Sequence, residues 1–199
     1  KKMSDIRAMI DAFAPVEIGL DDGSIPAKQR PVVRKLIEAA KLIDELFLYQ
    51  VSPKNLELRT ELRKDPALQD VAAAFDIMYG PWNRLDHNKP YWGTEEKPKG
   101  ASYYPLDLTQ AELEQWIATH PGDKEAFTGF FTVIARDANG LKAIPYSEAY
   151  KTYLEPAAKL LDEAAALSDD ARLQKFLVSR AKAFRDNQYR DSDMNWMDL

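Results

Sequence analysis

The chain has 199 residues, of which 45% are hydrophobic, so it is long enough to bury a core as one large domain or two small ones. It carries 27 Lys and Arg against 32 Asp and Glu, and this net charge of −5 argues against a nucleic-acid partner, which needs concentrated basic residues. The absence of cysteine excludes disulfides and thiolate metal sites, and no apolar run reaches the roughly 18 residues of a membrane span.

Apolar residues at helical spacing predict four helices in the first half of the chain, over residues 3–13, 26–51, 53–64 and 66–79. Ser4 or Asp5 suits the cap of the first helix, and a loop with a turn at residues 21–23 follows it. The long second helix ends at Ser52-Pro53. Asp65 is placed to cap the fourth helix, whose first position suits Pro66.

Residues 80–107 predict a long ordered loop that is rich in aromatic residues. Seven glycines and prolines interrupt the segment, which excludes a regular helix. Disordered linkers are poor in aromatic residues, whereas this segment holds five: Trp82, Tyr91, Trp92, Tyr103 and Tyr104. We therefore expect the loop to pack against the rest of the protein.

The second half predicts further helices and one β-hairpin. Thr109, with Glu112 three residues later, forms a capping-box pattern for a helix ending near Thr119. Residues 131–134 and 141–144 flank a turn at 137–140, in which Asn-Gly is a favoured tight-turn pair. Helices follow over 147–167, 169–185 and 187–198, and Pro156 either kinks the first of these or starts a new segment. The fold class is mainly α: a single helical domain over residues 1–199 with one small hairpin and a long ordered aromatic loop.

A catalytic site is not predicted in this sequence. His87 and His120 are the two histidines present, they lie far apart in sequence, and each is interpreted as structural, with His120 favourable at a helix end. The glycines do not form a phosphate-binding motif, and Ser24 lacks the frame of a serine nucleophile. The 32 acids are interpreted as solvated helix faces. No catalytic and no metal-binding residue is assigned.

The tract that begins at Tyr79 is the strongest candidate for binding. It places an aromatic ring, an amide, a guanidinium and a carboxylate close together, and Arg84 and Asp86 are positioned to pair while Asn83 binds backbone. One interpretation is a loop that lines a peptide cleft; the other is a loop that pins itself to the domain with Trp82 and Tyr104. The candidate substrate-binding residues are Trp82, Asn83, Arg84, Asp86, Tyr103 and Tyr104.

Several strings of the sequence together resemble the N-terminal region of bacterial proteins related to dipeptidyl peptidase III, which are zinc metallopeptidases. They begin with Tyr-Gly-Pro-Trp-Asn-Arg-Leu-Asp at 79–86 and Lys-Pro-Lys-Gly-Ala-Ser-Tyr-Tyr-Pro-Leu-Asp-Leu-Thr at 97–109, followed by Trp116. The resemblance continues through 132–134, 141–150 and 191–199, so it spans most of the chain.

This resemblance implies a two-lobed peptidase with an extended peptide bound between its lobes. The catalytic zinc would be held by two His of a His-Glu-x-x-x-His-type motif and a further Glu, and the motif's own Glu would activate water. The present sequence contains no such motif, and the resemblance places it after the segment that ends at Leu199. Zinc is therefore expected in a full-length protein and not in this chain.

The leading hypothesis is that the chain is the N-terminal, non-catalytic portion of such a peptidase, contributing to its peptide-binding cleft. The apolar end of the sequence fits a chain cut from its partner lobe, and such a surface is expected to favour self-association. The alternative is a stand-alone helical module that binds peptides or proteins without catalysis. Composition indicates a soluble protein and is compatible with both cytoplasm and periplasm.

Overall fold

The computed structural model describes residues 3–17, 19 and 22–199, apart from the side chain of residue 22. These residues form ten α-helices and two small antiparallel ladders, so the mainly α fold class is confirmed. The chain divides into two compact units, the first from residues 1–18 and 47–106 and the second from 19–46 and 107–199. Compact units need not unfold separately, and the single domain expected from the sequence stays a prediction.

Unit 1 is built mainly from α1 (Met3–Asp11), α3 (Asn55–Lys64) and α4 (Gln69–Met78), together with the last residues of α2 (Arg30–Val51). Their apolar faces meet in one core, in which each large side chain contributes about 1.5–3 kcal/mol by its burial. The buried members of this core are Ile6, Met9, Leu48, Leu62, Val71, Ala74, Phe75, Met78 and Tyr91.

The capping signals of unit 1 act as the sequence predicts. The carboxylate of Asp65 accepts from the N–H of Ala67 at 2.9 Å, and Pro66 opens a short 3₁₀ turn that leads into α4. That helix ends at Tyr79, which adopts a left-handed conformation with φ +53° and donates its N–H to the carbonyl of Phe75. Gly80 follows with φ +142°, and the chain turns sharply into the aromatic loop.

Unit 2 pairs the first part of α2 with α8 (Lys151–Leu167) and α9 (Ala171–Asp186), and α10 (Arg190–Met197) packs on α9. Small residues such as Ala158, Ala164 and Ala181 are fully buried where these helices meet. Pro156 lies inside α8, and a separate short helix, α7 (Tyr146–Ala149), precedes it. The sequence predicts a helix over 147–167 that Pro156 either kinks or divides into a short and a new segment; a short segment does precede α8, but the division falls at Tyr150 and α8 runs through Pro156.

A second cluster in unit 2 joins α5 (Gln110–Thr119) and α6 (Lys124–Thr128) to the hairpin of β3 (Thr132–Asp137) and β4 (Gly140–Pro145). The hairpin confirms the prediction, although its strands are longer than expected and pair Asp137 with Gly140 around a two-residue turn. Thr109 Oγ1 accepts from the N–H of Glu112 at 3.2 Å, so the predicted cap of α5 is confirmed.

The structure corrects two details of the predicted elements. A second ladder, β1 (Trp82–Asn83) with β2 (Lys89–Pro90), lies inside the aromatic loop, where the sequence predicted no strand. The long helix α2 begins at Arg30 rather than near Pro26, after a turn in which Gln29 donates to the carbonyl of Pro26. The turn predicted at 21–23 lies partly outside the described residues, and a 3₁₀ turn covers Asp22–Ser24. No helix that the structure describes is long and apolar enough to cross a membrane.

Candidate functional site

The aromatic loop of unit 1 is anchored by two buried rings. Trp82 is 4% exposed, and its indole Nε1 donates to the carbonyl of Glu95 at 2.8 Å. Tyr91 is 2% exposed, and its hydroxyl donates to the carbonyl of Gly80 at 2.9 Å. Burial, with a smaller effect of the Asp76 carboxylate, raises the pKa of Tyr91, which keeps this hydroxyl protonated as a donor. The two side chains thus bond to backbone carbonyls at opposite ends of the same segment, residues 80–95.

Between these anchors, residues 83–90 form a tight hairpin organised by Asn83. Its side-chain oxygen accepts from the N–H of Leu85 at 2.9 Å, which confirms that Asn83 binds backbone. Its carbonyl accepts from the N–H groups of Asp86 at 3.1 Å and Asn88 at 2.9 Å. The side-chain bond two residues ahead mimics a backbone turn, and it adds to the turn's own backbone bond from Asp86. His87, exposed and with φ +51°, lies in this turn.

Arg84 and Asp86 each bond to a neighbouring part of unit 1, and the pair between them that the sequence suggests stays a prediction. The Nε of Arg84 donates to the carbonyl of Met78 at 2.5 Å, which satisfies a carbonyl in the last turn of α4. The carboxylate of Asp86 accepts from the Nζ of Lys89 at 2.9 Å. Both contacts hold the hairpin in place. A ligand could contact only the parts of these two side chains that face solvent.

The second half of the loop is fixed to the end of α2. The N–H of Ser102 donates to the carbonyl of Gln50 at 2.8 Å, and its hydroxyl donates to the carbonyl of Tyr49 at 3.2 Å. The next residue, Tyr103, is half-buried, and burial raises the pKa of its hydroxyl. Tyr104 is 46% exposed, so of the two rings suggested as pins, Trp82 is buried and Tyr104 is largely on the surface.

A cleft of about 570 Å³ opens in unit 1 between the start of α3 and the segment 92–95. Of the six residues predicted to bind substrate, one lines it, Trp82. The other lining residues that carry polar or aromatic groups are Ser52, Lys54, Asn55, Glu57, Glu61, Trp92, Thr94 and Glu95. Sequence reasoning passed over these residues because it treated the start of α3 and the loop as separate elements, and only the fold brings them together.

Metal binding is not supported by the side chains in the described ranges, where no three His, Asp or Glu residues form a group able to hold an ion. His120 lies at the C-terminus of α5, as predicted, and its ring stacks on Trp116 with centroids 4.0 Å apart. Its Nδ1 lies 3.0 Å from the hydroxyl of Thr119. These contacts account for His120 as part of the helix end.

Two solved structures match the chain over nearly its whole length. Dipeptidyl peptidase III from Caldithrix abyssi is 49% identical, with a TM-score of 0.93 over 97% of this chain. The enzyme from Corallococcus sp. strain EGB is 37% identical, with a TM-score of 0.94 over 100% of this chain. The chain matches the N-terminal region of bacterial dipeptidyl peptidase III. The resemblance predicted from residues 79–116 and the strings after them is thereby confirmed.

The match covers part of each relative. The chain spans 37% of the dipeptidyl peptidase III chain from Caldithrix abyssi and 38% of that from Corallococcus. Nudix hydrolase 3 of Arabidopsis thaliana is 27% identical over 248 residues, which cover 98% of this chain and 32% of that protein. No family model matches the sequence. The activities that these names describe belong to proteins more than twice as long as this chain. For this chain, they are proposals only.

Proposed function

We propose that this chain forms the N-terminal, non-catalytic part of a zinc-dependent dipeptidyl peptidase and contributes to its peptide-binding cleft. The observation that carries the proposal is the similarity of 97–100% of the chain to part of two dipeptidyl peptidase III structures, at 37–49% identity. The sequence has two histidines, at 87 and 120, which lack the close spacing of a two-histidine zinc motif. In this proposal the zinc ligands are supplied by residues outside this sequence.

The peptide contacts in this proposal come from the loop of unit 1. Trp82, Asn83 and Tyr103 are held by burial or by hydrogen bonds to the backbone, so they shape the surface. Arg84 and Tyr104 have exposed parts that extend from that fixed surface. A surface that is ordered before the peptide arrives loses little entropy on binding, which favours affinity. Asp86, bonded to Lys89, completes the proposed set.

When bound in a peptidase, zinc polarises the scissile carbonyl and lowers the pKa of a water molecule. The residues of this chain would act before that step, by holding the peptide extended and by excluding water from it. Correct placement of a substrate lowers the barrier even though the positioning residues take no part in the chemistry. A substitution that weakens the proposed peptide contacts of the loop is therefore expected to raise KM more than it lowers kcat.

The first test is the intact mass of the native protein, together with release of dipeptides from a peptide substrate. We expect a mass well above that of the 199-residue chain, activity in the native protein that a zinc chelator abolishes, and none in residues 1–199 alone. A native protein that ends at Leu199 would contradict the proposal, as would chelator-resistant peptidase activity.

The second test addresses the loop. In the native protein, Tyr104→Ala is expected to raise KM severalfold, because an exposed ring that contacts peptide contributes about 1 kcal/mol or more when it is removed. Leu106→Ala is the matched control, since Leu106 lies two residues away and is 84% exposed. Equal KM values for the two variants would argue against a role of the loop in peptide binding.

A stand-alone peptide-binding module is the second candidate, and one observation favours it: the cleft is lined entirely by residues of unit 1. This candidate requires peptide binding by residues 1–199 without any metal. Calorimetric titration with peptides and with zinc separates it from an inert fragment. Stoichiometric tight zinc binding to the chain alone would contradict both candidates.

A further inference from the structure

Helices α9 and α10 of unit 2 lie side by side and run in opposite directions. The amide of Asn195 donates to the hydroxyl of Ser179 at 2.9 Å. Further along, Lys175 Nζ lies 3.9 Å from the carboxylate of Asp198, so positions fall along α9 as they rise along α10. An open groove of about 740 Å³ runs between the two helices. We name the groove and its rim the α9–α10 face, which includes Lys175, Val178, Lys182, Asp191, Met194 and Asp198.

The centre of the α9–α10 face is apolar. Val178 is 53% exposed and Met194 is 56% exposed, and both line the groove. Met197, nearly one helical turn after Met194, is 73% exposed. A single exposed apolar residue is ordinary, whereas apolar residues grouped along one groove are typical of a contact with another protein. Methionine suits such a contact because its unbranched side chain adapts to the surface that it meets.

The α9–α10 face carries its lysines on α9 and its aspartates on α10. The pKa of Lys182 is raised, chiefly by its hydrogen bond to Asp186 and to a smaller extent by the charge of Asp191, so Lys182 and Asp191 lie near each other. At the other end of the groove, Lys175 lies near Asp198. Each end of the groove thus has a lysine on the α9 side and an aspartate on the α10 side.

This arrangement of charges is self-complementary for one way of pairing two copies of the chain. A two-fold axis parallel to the helices lays α9 of each copy on α10 of the other. Lys182 of one copy then meets Asp191 of the other. In the same way, Lys175 meets Asp198. An axis across the helices would instead lay α9 on α9 and place lysine against lysine, which is unfavourable.

We infer that the α9–α10 face is a dimer interface, on which a second copy of this chain binds with the two-fold axis parallel to the helices. Val178 and Met194 of both copies are buried at its centre, and the lysine–aspartate pairs form its rim. The face is about 24 Å long, from the 16 residues of α9, and about 20 Å wide, from two adjacent helices, so each copy buries about 500 Å². Interfaces of this size are weak, and we expect a dissociation constant on the order of 100 μM. The inference goes beyond the proposed function, and either can fail while the other holds.

An amphipathic helix of a different protein is the rival occupant of the groove. It would need apolar residues for the centre, acidic residues on the side that faces α9 and basic residues on the side that faces α10. The second copy already supplies this pattern, since it presents α9 to α10 and α10 to α9. The balance of two lysines and two aspartates therefore favours the second copy over a partner whose charges have a single sign.

Sedimentation equilibrium of the 199-residue chain tests whether it forms a dimer. Between about 10 μM and 1 mM, we expect the average mass to rise from the monomer value of 22.6 kDa toward twice that value. A chain that keeps the monomer mass up to about 1 mM would overturn the inference and leave the groove to the rival helix. Association that continues beyond the dimer would also overturn it, since a two-fold interface closes with two copies.

The decisive experiment exchanges the charges of the face in two variants. One carries Lys175→Asp with Lys182→Asp, and the other carries Asp191→Lys with Asp198→Lys. Each variant alone is expected to dimerise about tenfold more weakly, because like charges then meet, whereas an equimolar mixture is expected to form a heterodimer. Each change of aspartate to lysine adds two units of charge to a chain of −5, so both variants stay net negative and overall charge does not draw them together.

A matched pair of double variants tests the apolar centre. Val178→Glu with Met194→Glu is expected to leave the chain monomeric. Leu106→Glu with Phe130→Glu adds the same charge at apolar residues outside the face that are more exposed, at 84% and 87%, and is expected to keep the dimer. Thermal unfolding verifies that every variant is folded. An equal effect of the two double variants, or a mixture of the charge-exchanged variants that stays monomeric, would overturn the inference.

Discussion

Replacing Gly80 by alanine tests how the cleft of unit 1 is built. Gly80 has φ +142°, a conformation that residues with a Cβ rarely adopt, and forcing one into it costs about 1–3 kcal/mol. A Cβ at this position would also lie 2.6 Å and 2.7 Å from two ring carbons of Trp82, and 3.3 Å from Asn55 Nδ2. Pushing a packed ring aside costs about 1–3 kcal/mol more. We expect the unfolding free energy to fall by about 3 kcal/mol or more.

Urea unfolding followed by circular dichroism measures this loss, and hydrogen exchange of the amides in residues 80–95 locates it. Gly93→Ala is the matched control, since Gly93 lies in the same loop with φ +68° but has no atom within 4 Å of the added Cβ. It carries the backbone cost alone, about 1–2 kcal/mol. The reasoning is refuted if the two variants lose equal stability, because the Trp82 ring would then move aside freely.

Three further predictions test other contacts of the fold. Trp82→Phe removes the 2.8 Å bond to Glu95 and makes a buried ring smaller, so it is expected to cost about 1–3 kcal/mol in urea unfolding, with faster amide exchange in 89–95. Gly140 has φ +114°, and an added Cβ would lie 2.6 Å from Trp116 Cη2, so Gly140→Ala is expected to lower the unfolding free energy by about 2–4 kcal/mol. The control is Gly122→Ala, whose Cβ meets no atom within 4 Å, and it is expected to change the unfolding free energy by no more than about 0.5 kcal/mol. The backbone N–H groups of Leu173 and Arg172 lower the pKa of Asp170 in the folded protein. The ionised carboxylate therefore stabilises the folded state above the pKa that Asp170 has in the unfolded chain, and this stabilisation is lost as the pH falls through the lower pKa of the folded state. Thermal unfolding from neutral pH to below about pH 4 should therefore show a smaller loss for Asp170→Asn than for the native chain, and equal losses would contradict this assignment.

Local signals in the sequence predicted most of the helical fold, because caps and breakers act over a few residues. Asp65 followed by Pro66, and Thr109 followed by Glu112, each satisfy backbone N–H groups that a helix start leaves open. The turn before Gly140 was predicted in the same way, from the backbone freedom of a glycine next to asparagine. None of these features needs a distant part of the chain.

The cleft, by contrast, depends on contacts between segments that are distant in the sequence. Asn55, which lines it, lies at the start of α3, and its amide is directed by the carbonyls of Leu48 in α2 and of Tyr79 just after α4. The ladder of β1 and β2 shows the same limit on a smaller scale. Its strands are two residues long, too short for alternation, and the turn between them is organised by Asn83.

The two interpretations of the aromatic tract prove compatible for Trp82. Its indole N–H holds the loop at Glu95, as a structural ring should, and its ring also lines the cleft, as a binding residue should. Sequence reasoning set these roles against each other because it assigned one role to each residue. A ring that is fixed by one edge and accessible along another part serves both.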